Sequence, residues 1–382
     1  METPNSAWIE VDLKAIRHNY QKVKTHVGPD IAVMAVLKSN AYGHGIELVG
    51  PGMADEADWF GVSTLEEGIR LRRVGVQTPV LVFEPCGPWN AKELVTHNLT
   101  ATVDSDQGGD ALAKAGTELG VTPQAHIKID TGMSRYGIRA LDRDGIDAEI
   151  VQPWLNHQDI RWTGMYTHLA NATQEDPANA EAQAKLFLEV FNVVSTLGFH
   201  PKFTHVLNSA GILRMPTARF RMVRTGTLLY GQYPDGFVPK TFDLRPTWRF
   251  RARIASLRTV QRGSGVGYGH EWKATRESTI ATVPVGYYDG FTVEPLSVWK
   301  RRGGMKGLAK HIAGRDRVCL EIAGQPVPVV GRIAAQSTMI DVTEIRNVRI
   351  GDIVDIPARR LMVGDHIARI PRAPEATGSE DA

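Results

Sequence analysis

The chain has 382 residues, 42% of them hydrophobic and 23% charged, a length that predicts two domains and a balance that reads as soluble and globular. Lysines and arginines total 44 against 42 acids, which excludes the electrostatic footprint of a binder of nucleic acid or anionic membrane and leaves a small ligand as the expected partner. Two cysteines, Cys86 and Cys319, exclude a disulfide framework and a four-cysteine zinc site; METPNSAWIEVDL has no signal-peptide blocks, no apolar stretch approaches ~20 residues, and the expected compartment is the cytoplasm.

Trp8 to Val11 reads as a strand, and after a cap at Asp12 the residues Leu13, Ile16, Tyr20 and Val23 keep helical spacing. The apolar run 31–37 (IAVMAVL) predicts a strand that stops at Lys38, where a polar turn, KSNAYGHG, begins. Further strands are expected at 59–63, 79–83, 100–103, 126–130, 162–168, 203–207 and 221–225. Thr64 with Glu67 fits a capping box closed by Gly75, and Phe187, Val190, Phe191, Val194 and Leu197 form an apolar stripe closed by Gly198. Strands alternating with helices over 12–240 predict an α/β domain, a parallel (β/α)8 barrel.

From 245 to 372 the runs 249–260, 278–285, 326–330 and 337–342 have strand lengths and no helical stripe, which predicts a C-terminal all-β domain, with 8–11 as a strand that joins it. Residues 294–316, basic and glycine-bearing, read as an insertion loop, and 373–382 as a disordered tail.

In a parallel barrel, chemistry collects at the carboxyl ends of the strands. Lys38 follows the first. The fifth ends at Asp130 and leads to Arg135, the sixth ends at His168, the seventh at Asn208 and Ser209, and the eighth carries Arg224 before Gly226 and Thr227. Taken singly, His168 reads as a core histidine and Arg224 as a salt-bridge partner; together on one rim they suit an aldehyde cofactor with a phosphate tail. A lysine desolvated at a strand end favours its neutral form and forms a Schiff base. Tyr42, Ser209 and the amides near Gly226 and Thr227 would bind phosphate, as would amides freed by Gly43 and Gly45 beside His44. His168 would pack against a pyridine ring and Asn208 reach its hydroxyl. An arginine at the pyridine nitrogen only donates, so the ring stays unprotonated and carbanion character stays near Cα.

The segments WIEVDLKAIRHNY, the Lys38 turn, WFGVSTLEEGIRLR, KIDTGMSRYG, MYTHLANA, HVLNSAGIL, MVRTGTLLYG, GVGYGHEW and TVPVGYYDG, in this order, give a chain that resembles the alanine racemases over nearly its whole length. The resemblance implies a pyridoxal 5′-phosphate enzyme acting on a small amino acid, and a homodimer whose active site is shared across the subunit interface. It implies that Lys38 is the Schiff-base lysine and one acid/base group, and that Tyr268, from the partner chain, is the other. Tyr287 matches a tyrosine at the substrate entrance, Arg135 the arginine that serves the substrate carboxylate, and Lys128 the lysine often carbamylated beside it. Two bases suit a reaction that removes a proton from one face of Cα and returns one to the other.

Three departures stand out. Ala334, Ala335 and Gln336 replace the usual Cys-Met-Asp, Val293 stands where an arginine is usual, and Ala368 replaces a tyrosine that sits against phosphate and substrate. The substrate half, with Ala335, Gln336 and Ala368, is expected to hold a side chain larger than methyl. Retro-aldol cleavage or Cα transfer on a β-hydroxy amino acid, and non-catalytic coenzyme binding, stand as alternatives; the β domain and Tyr268 argue against the last.

Overall fold

The computed structural model describes residues 5–141, 152–234, 236–293 and 318–373. They fall into two compact units: Leu13–Thr247, and the N-terminal strand with the chain from Trp248 onward.

The first unit is a closed parallel barrel of eight strands, as expected. Around it run Thr100–Val103, Val80–Pro85, Trp59–Val62, Ala32–Val36, Met222–Thr225, Phe203–His205, Arg161–Tyr166 and Gln124–Asp130, and the pairing of Ala101 with Ala125 closes the circle. Met34, Trp59, Leu81, Tyr166 and Met222 pack inside it, with Phe83 and Phe203 against them. On the outside, helix Leu13–Val27 buries Ile16, Tyr20 and Val23. Each such side chain contributes about 1.5–3 kcal/mol. Thr64 and Glu67 form the expected capping box of helix Leu65–Arg73, and Gly75, at φ 83°, follows its end. Helix Ile46–Met53 escapes the sequence reading because Gly50, Pro51 and Gly52 interrupt its pattern.

In the second unit, the run 249–260 is two strands, Trp248–Arg253 and Ser256–Val260. Trp248–Arg253 pairs with Ala7–Val11 and Ile353–Asp355, while Ser256–Val260 pairs with Ser278–Val283 in another sheet. The chain changes sheets where the Ile254 amide bonds Asp352 O and the Ala255 amide bonds Thr282 O. A continuous apolar pattern cannot report this change of partners. Ala7–Val11 also pairs in parallel with Ala368–Pro371. The insertion 294–316 lies outside the described residues, as does the expected tail beyond Ala373. Among the described residues no helix is long and apolar enough to cross a membrane.

Candidate active site

Lys38 opens a short helical turn, Lys38–Gly43, in which Ser39, Asn40, Ala41 and Tyr42 are left-handed, with φ 53–55°. Left-handed helix costs an L-residue roughly 1–2 kcal/mol, so four in a row require restraint from their surroundings. The Ala41 amide bonds Leu37 O at 2.7 Å and the Gly45 amide bonds Asn40 O at 3.0 Å, while Asn40 Oδ1 accepts the Ile46 amide at 2.8 Å. This corrects one expectation. The amide of Gly45 is consumed inside the turn, and His44 is fully buried with Nε2 2.8 Å from Thr247 Oγ1. His44 and Gly45 build the turn; anion donors come from elsewhere on the rim.

Those donors converge beside Tyr42. The Gly226 amide lies 2.9 Å from Ser209 Oγ, and a Cβ placed on Gly226 would lie only 2.5 Å from Tyr42 Oη. Only glycine leaves this cradle open. The Thr227 amide donates to no acceptor among the described residues. Two hydroxyls and a free amide suit a phosphate.

At the other pole stands Arg224, inside the strand Met222–Thr225 and buried. Nη1 donates to His205 Nδ1 at 2.6 Å and His205 O at 3.1 Å; Nη2 donates to Thr167 O at 2.7 Å and Val206 O at 3.0 Å and lies 3.3 Å from His168 Nδ1. Nε is left without a partner among the described residues, a donor aimed at no protein acceptor. Burial brings the guanidinium down to about 10. Burial and the Arg224 charge hold His168 and His205 neutral, well below the usual range, and take His126 to about 3.

Between the poles lies a cavity of about 660 Å³, lined by Lys38, Tyr42, Lys128, Arg135, His168, Asn208, Ser209, Arg224, Gly226 and Thr227 among others. Apart from His44 and its flanking glycines, every barrel residue given a role from the sequence therefore faces one space. Burial lowers the Lys38 amine, and Arg135 adds to the effect. Lys128 is brought to about 8 by burial, then Arg224 and Arg135; its Nζ sits 4.9 Å from the Tyr166 ring centroid. Asn208 caps helix Ser209–Arg214, its Oδ1 accepting the Gly211 amide at 3.0 Å.

Tyr268, Tyr287, Ala335, Gln336 and Ala368 belong to the other unit. Tyr268 is 69% exposed and stands between two glycines of positive φ, Gly267 and Gly269. The amides of Tyr287 and Tyr288 bond Ala334 O at 3.2 Å and Ala335 O at 3.0 Å, which joins two segments read separately from the sequence. Gln336 is exposed, and Ala368 lies opposite Trp8 in the sheet.

Sequence reasoning missed His205, His126 and Tyr166. His205 Nε2 meets His126 Nδ1 at 3.0 Å, and the Tyr166 ring stacks on His205 at 4.7 Å and 5°. The only signal was a histidine within each expected strand, HIKID and FTHVL, where Lys128, Asp130 and Thr204 already mix polar residues into the run.

A neutral-ringed, cation-lined barrel mouth with a desolvated lysine and a phosphate cradle defines a barrel enzyme of the pyridoxal-phosphate class. Comparison narrows this. The family patterns "Alanine racemase, N-terminal domain" and "Alanine racemase, C-terminal domain" match residues 11–234 and 247–369. The chain is 33% identical to an alanine racemase of Desulfovibrio desulfuricans over 92% of this chain and 90% of that one. It is 35% identical to alanine racemase 1 of Caldanaerobacter subterraneus subsp. tengcongensis over 91% and 84%. An alanine racemase structure from Clostridium difficile 630 superposes with a TM-score of 0.84 at 27% identity, covering 96% and 95% of the two chains. The chain belongs to the alanine racemase family, whose enzymes depend on pyridoxal 5′-phosphate. The Gly226 cradle and the open Nε of Arg224 fit that coenzyme: the one would hold its phosphate, the other would face its ring nitrogen.

Proposed function

We propose that this chain is an amino-acid racemase that interconverts L- and D-amino acids by two-base proton transfer at Cα, and that it takes side chains larger than methyl. The observation that carries the reading is the single cavity onto which Lys38, Arg224 and the Tyr42–Ser209–Gly226 cradle all open. When bound, pyridoxal phosphate supplies the electron withdrawal that makes the Cα proton removable. Lys38 holds the coenzyme and then moves the proton on one face of Cα, a task its burial favours by stabilising the neutral amine. Arg224 donates and does not protonate what it faces, which keeps charge near Cα. Arg135 takes the substrate carboxylate, and Lys128, with a neutral fraction near pH 8, is the amine suited to carbamylation.

Tyr268 serves the opposite face from a second copy of the chain, in a cytoplasmic homodimer. Its exposure supports that role, since a solitary phenol in solvent has nothing to pack against. The enlarged substrate range rests on Ala335, Gln336 and Ala368, where bulk or charge is absent from the segments that carry the entrance tyrosine Tyr287 and the sheet beside it.

Racemisation of alanine, serine and larger amino acids tests the reading. Turnover of several is expected, with Cα deuterium incorporated from heavy water. Activity confined to alanine refutes the larger pocket, and release of aldehyde from β-hydroxy amino acids without racemisation refutes the reaction type.

A further inference from the structure

The left-handed turn after Lys38 is gripped from outside by helix Leu65–Arg73. Glu67, buried in its first turn, uses one carboxylate oxygen as a capping residue does: Oε2 accepts the amide of Ser63 at 2.8 Å and that of Thr64 at 3.4 Å. The other oxygen does something a cap does not require. Oε1 accepts the amide of Asn40 at 3.1 Å, two residues beyond Lys38. One helical turn further on, Arg70 Nη2 reaches Asn40 Oδ1 at 3.0 Å, and Arg70 is itself paired with Glu47. Asn40 is therefore held by backbone and side chain against the same helix face, since residues three apart share a face. The carboxylate also acts on the lysine through space, opposing burial and the Arg135 charge.

We infer that Glu67 is a positioning residue for Lys38: its carboxylate clamps the left-handed turn at Asn40 and so aims the lysine amine into the cavity. The inference rests on the reading of Lys38 as the coenzyme-holding residue. Helix capping is the lesser role, because a cap needs Oε2 and leaves Oε1 free. The groups that face the lysine charge are Arg135 and Glu67; the first repels it and the second attracts it.

The test uses the coenzyme-loaded protein and four variants: Glu67→Gln, Glu67→Asp, Ser105→Ala and Lys38→Ala. Ser105→Ala removes a cap from another helix, Asp106–Leu119, where Ser105 Oγ accepts the Gly108 amide, and so reports the effect of lost capping alone. Glu67→Gln is expected to lower kcat at least tenfold with KM for the amino acid within about twofold. The pH midpoint of the bound coenzyme's visible band is expected to fall, because the attracting charge is gone. Ser105→Ala is expected to lower Tm while kcat and the midpoint stay as in the parent. Glu67→Asp keeps the charge but withdraws it by one methylene, so kcat falls while the midpoint moves less; this variant carries the test if the glutamine form does not fold. Parental kcat and midpoint in the folded Glu67 variants, or the same losses in Ser105→Ala, overturn the inference. Lys38→Ala separates the two levels. If that variant keeps the visible band, the reading of Lys38 fails and the clamp with it; if it loses the band while the Glu67 variants behave as the parent, only the clamp fails.

Discussion

Nη1 of Arg224 lies 2.6 Å from Nδ1 of His205, and this bond sets the protons of a buried imidazole pair. Guanidinium only donates, so Nδ1 of His205 accepts and its proton resides on Nε2. Nε2 then donates across 3.0 Å to Nδ1 of His126, which leaves the proton of His126 on Nε2, a buried atom with no acceptor among the described residues. Both rings are neutral by construction.

That neutrality makes the barrel acid-sensitive. His126 and His205 are fully buried and titrate far below ~6.5 in the folded chain, His126 near 3. Below ~6.5 the unfolded state takes up protons that the folded state refuses, so stability is complete above that pH and is lost as pH falls, by about 1.4 kcal/mol per pH unit for each ring. Proton uptake on unfolding at pH 5, measured by titration, should include about two protons from this pair. An uptake accounted for by the carboxylates alone would contradict the neutrality of the pair.

Lys128 carries a cost in the opposite pH range. Its amine is buried near Arg224 and Arg135 and titrates near 8, so at pH 7 the folded chain holds a charge that burial opposes. The penalty is full below 8 and vanishes as pH rises toward ~10.4. Lys128→Met should therefore raise stability at pH 7 by about 2–3 kcal/mol and by little at pH 10, as urea unfolding would show, while activity falls.

Gly226→Ala places a methyl 2.5 Å from Tyr42 Oη. The phosphate cradle is crowded while the barrel strands are untouched, so coenzyme affinity should fall tenfold or more, about 1.4 kcal/mol, with Tm of the unloaded protein within a few degrees of the parent. Fluorescence titration with pyridoxal phosphate checks this. Undiminished affinity would place the phosphate elsewhere.

Tyr268→Phe removes one of the two proposed proton carriers. Loss of a general acid/base costs roughly 10²–10⁴ in rate, so racemisation should fall by that factor in both directions. Lys38 still serves its own face, so one enantiomer should continue to exchange its Cα proton with deuterium while the other stops. Equal exchange of both enantiomers would mean that the phenol is not a base.

Much of the site was legible because its residues mark strand ends. Lys38, His168 and Ser209 each follow a strand and Arg224 lies one residue from the end of its own, and a parallel barrel delivers all such ends to one rim. His44 misled for the same reason: polar composition marks a turn but does not say which groups the turn consumes internally. His126 and His205 were invisible as a pair because 79 residues separate them and neither alters the pattern of its strand.

The amino-acid sequence alone determined the elements whose causes are local: the apolar strands, the Thr64–Glu67 box, Gly75 and Gly198 after their helices, and through the alternation of strands and helices the barrel itself. These follow from side-chain periodicity and backbone preference within a few residues. Tertiary structure decided the rest. Four left-handed residues after Lys38 go against local preference and persist because Glu67 and Arg70 hold Asn40 from a helix some thirty positions away. Bonds between remote residues outweigh propensities of about 1 kcal/mol each, and no reading along the chain sees them before the barrel closes.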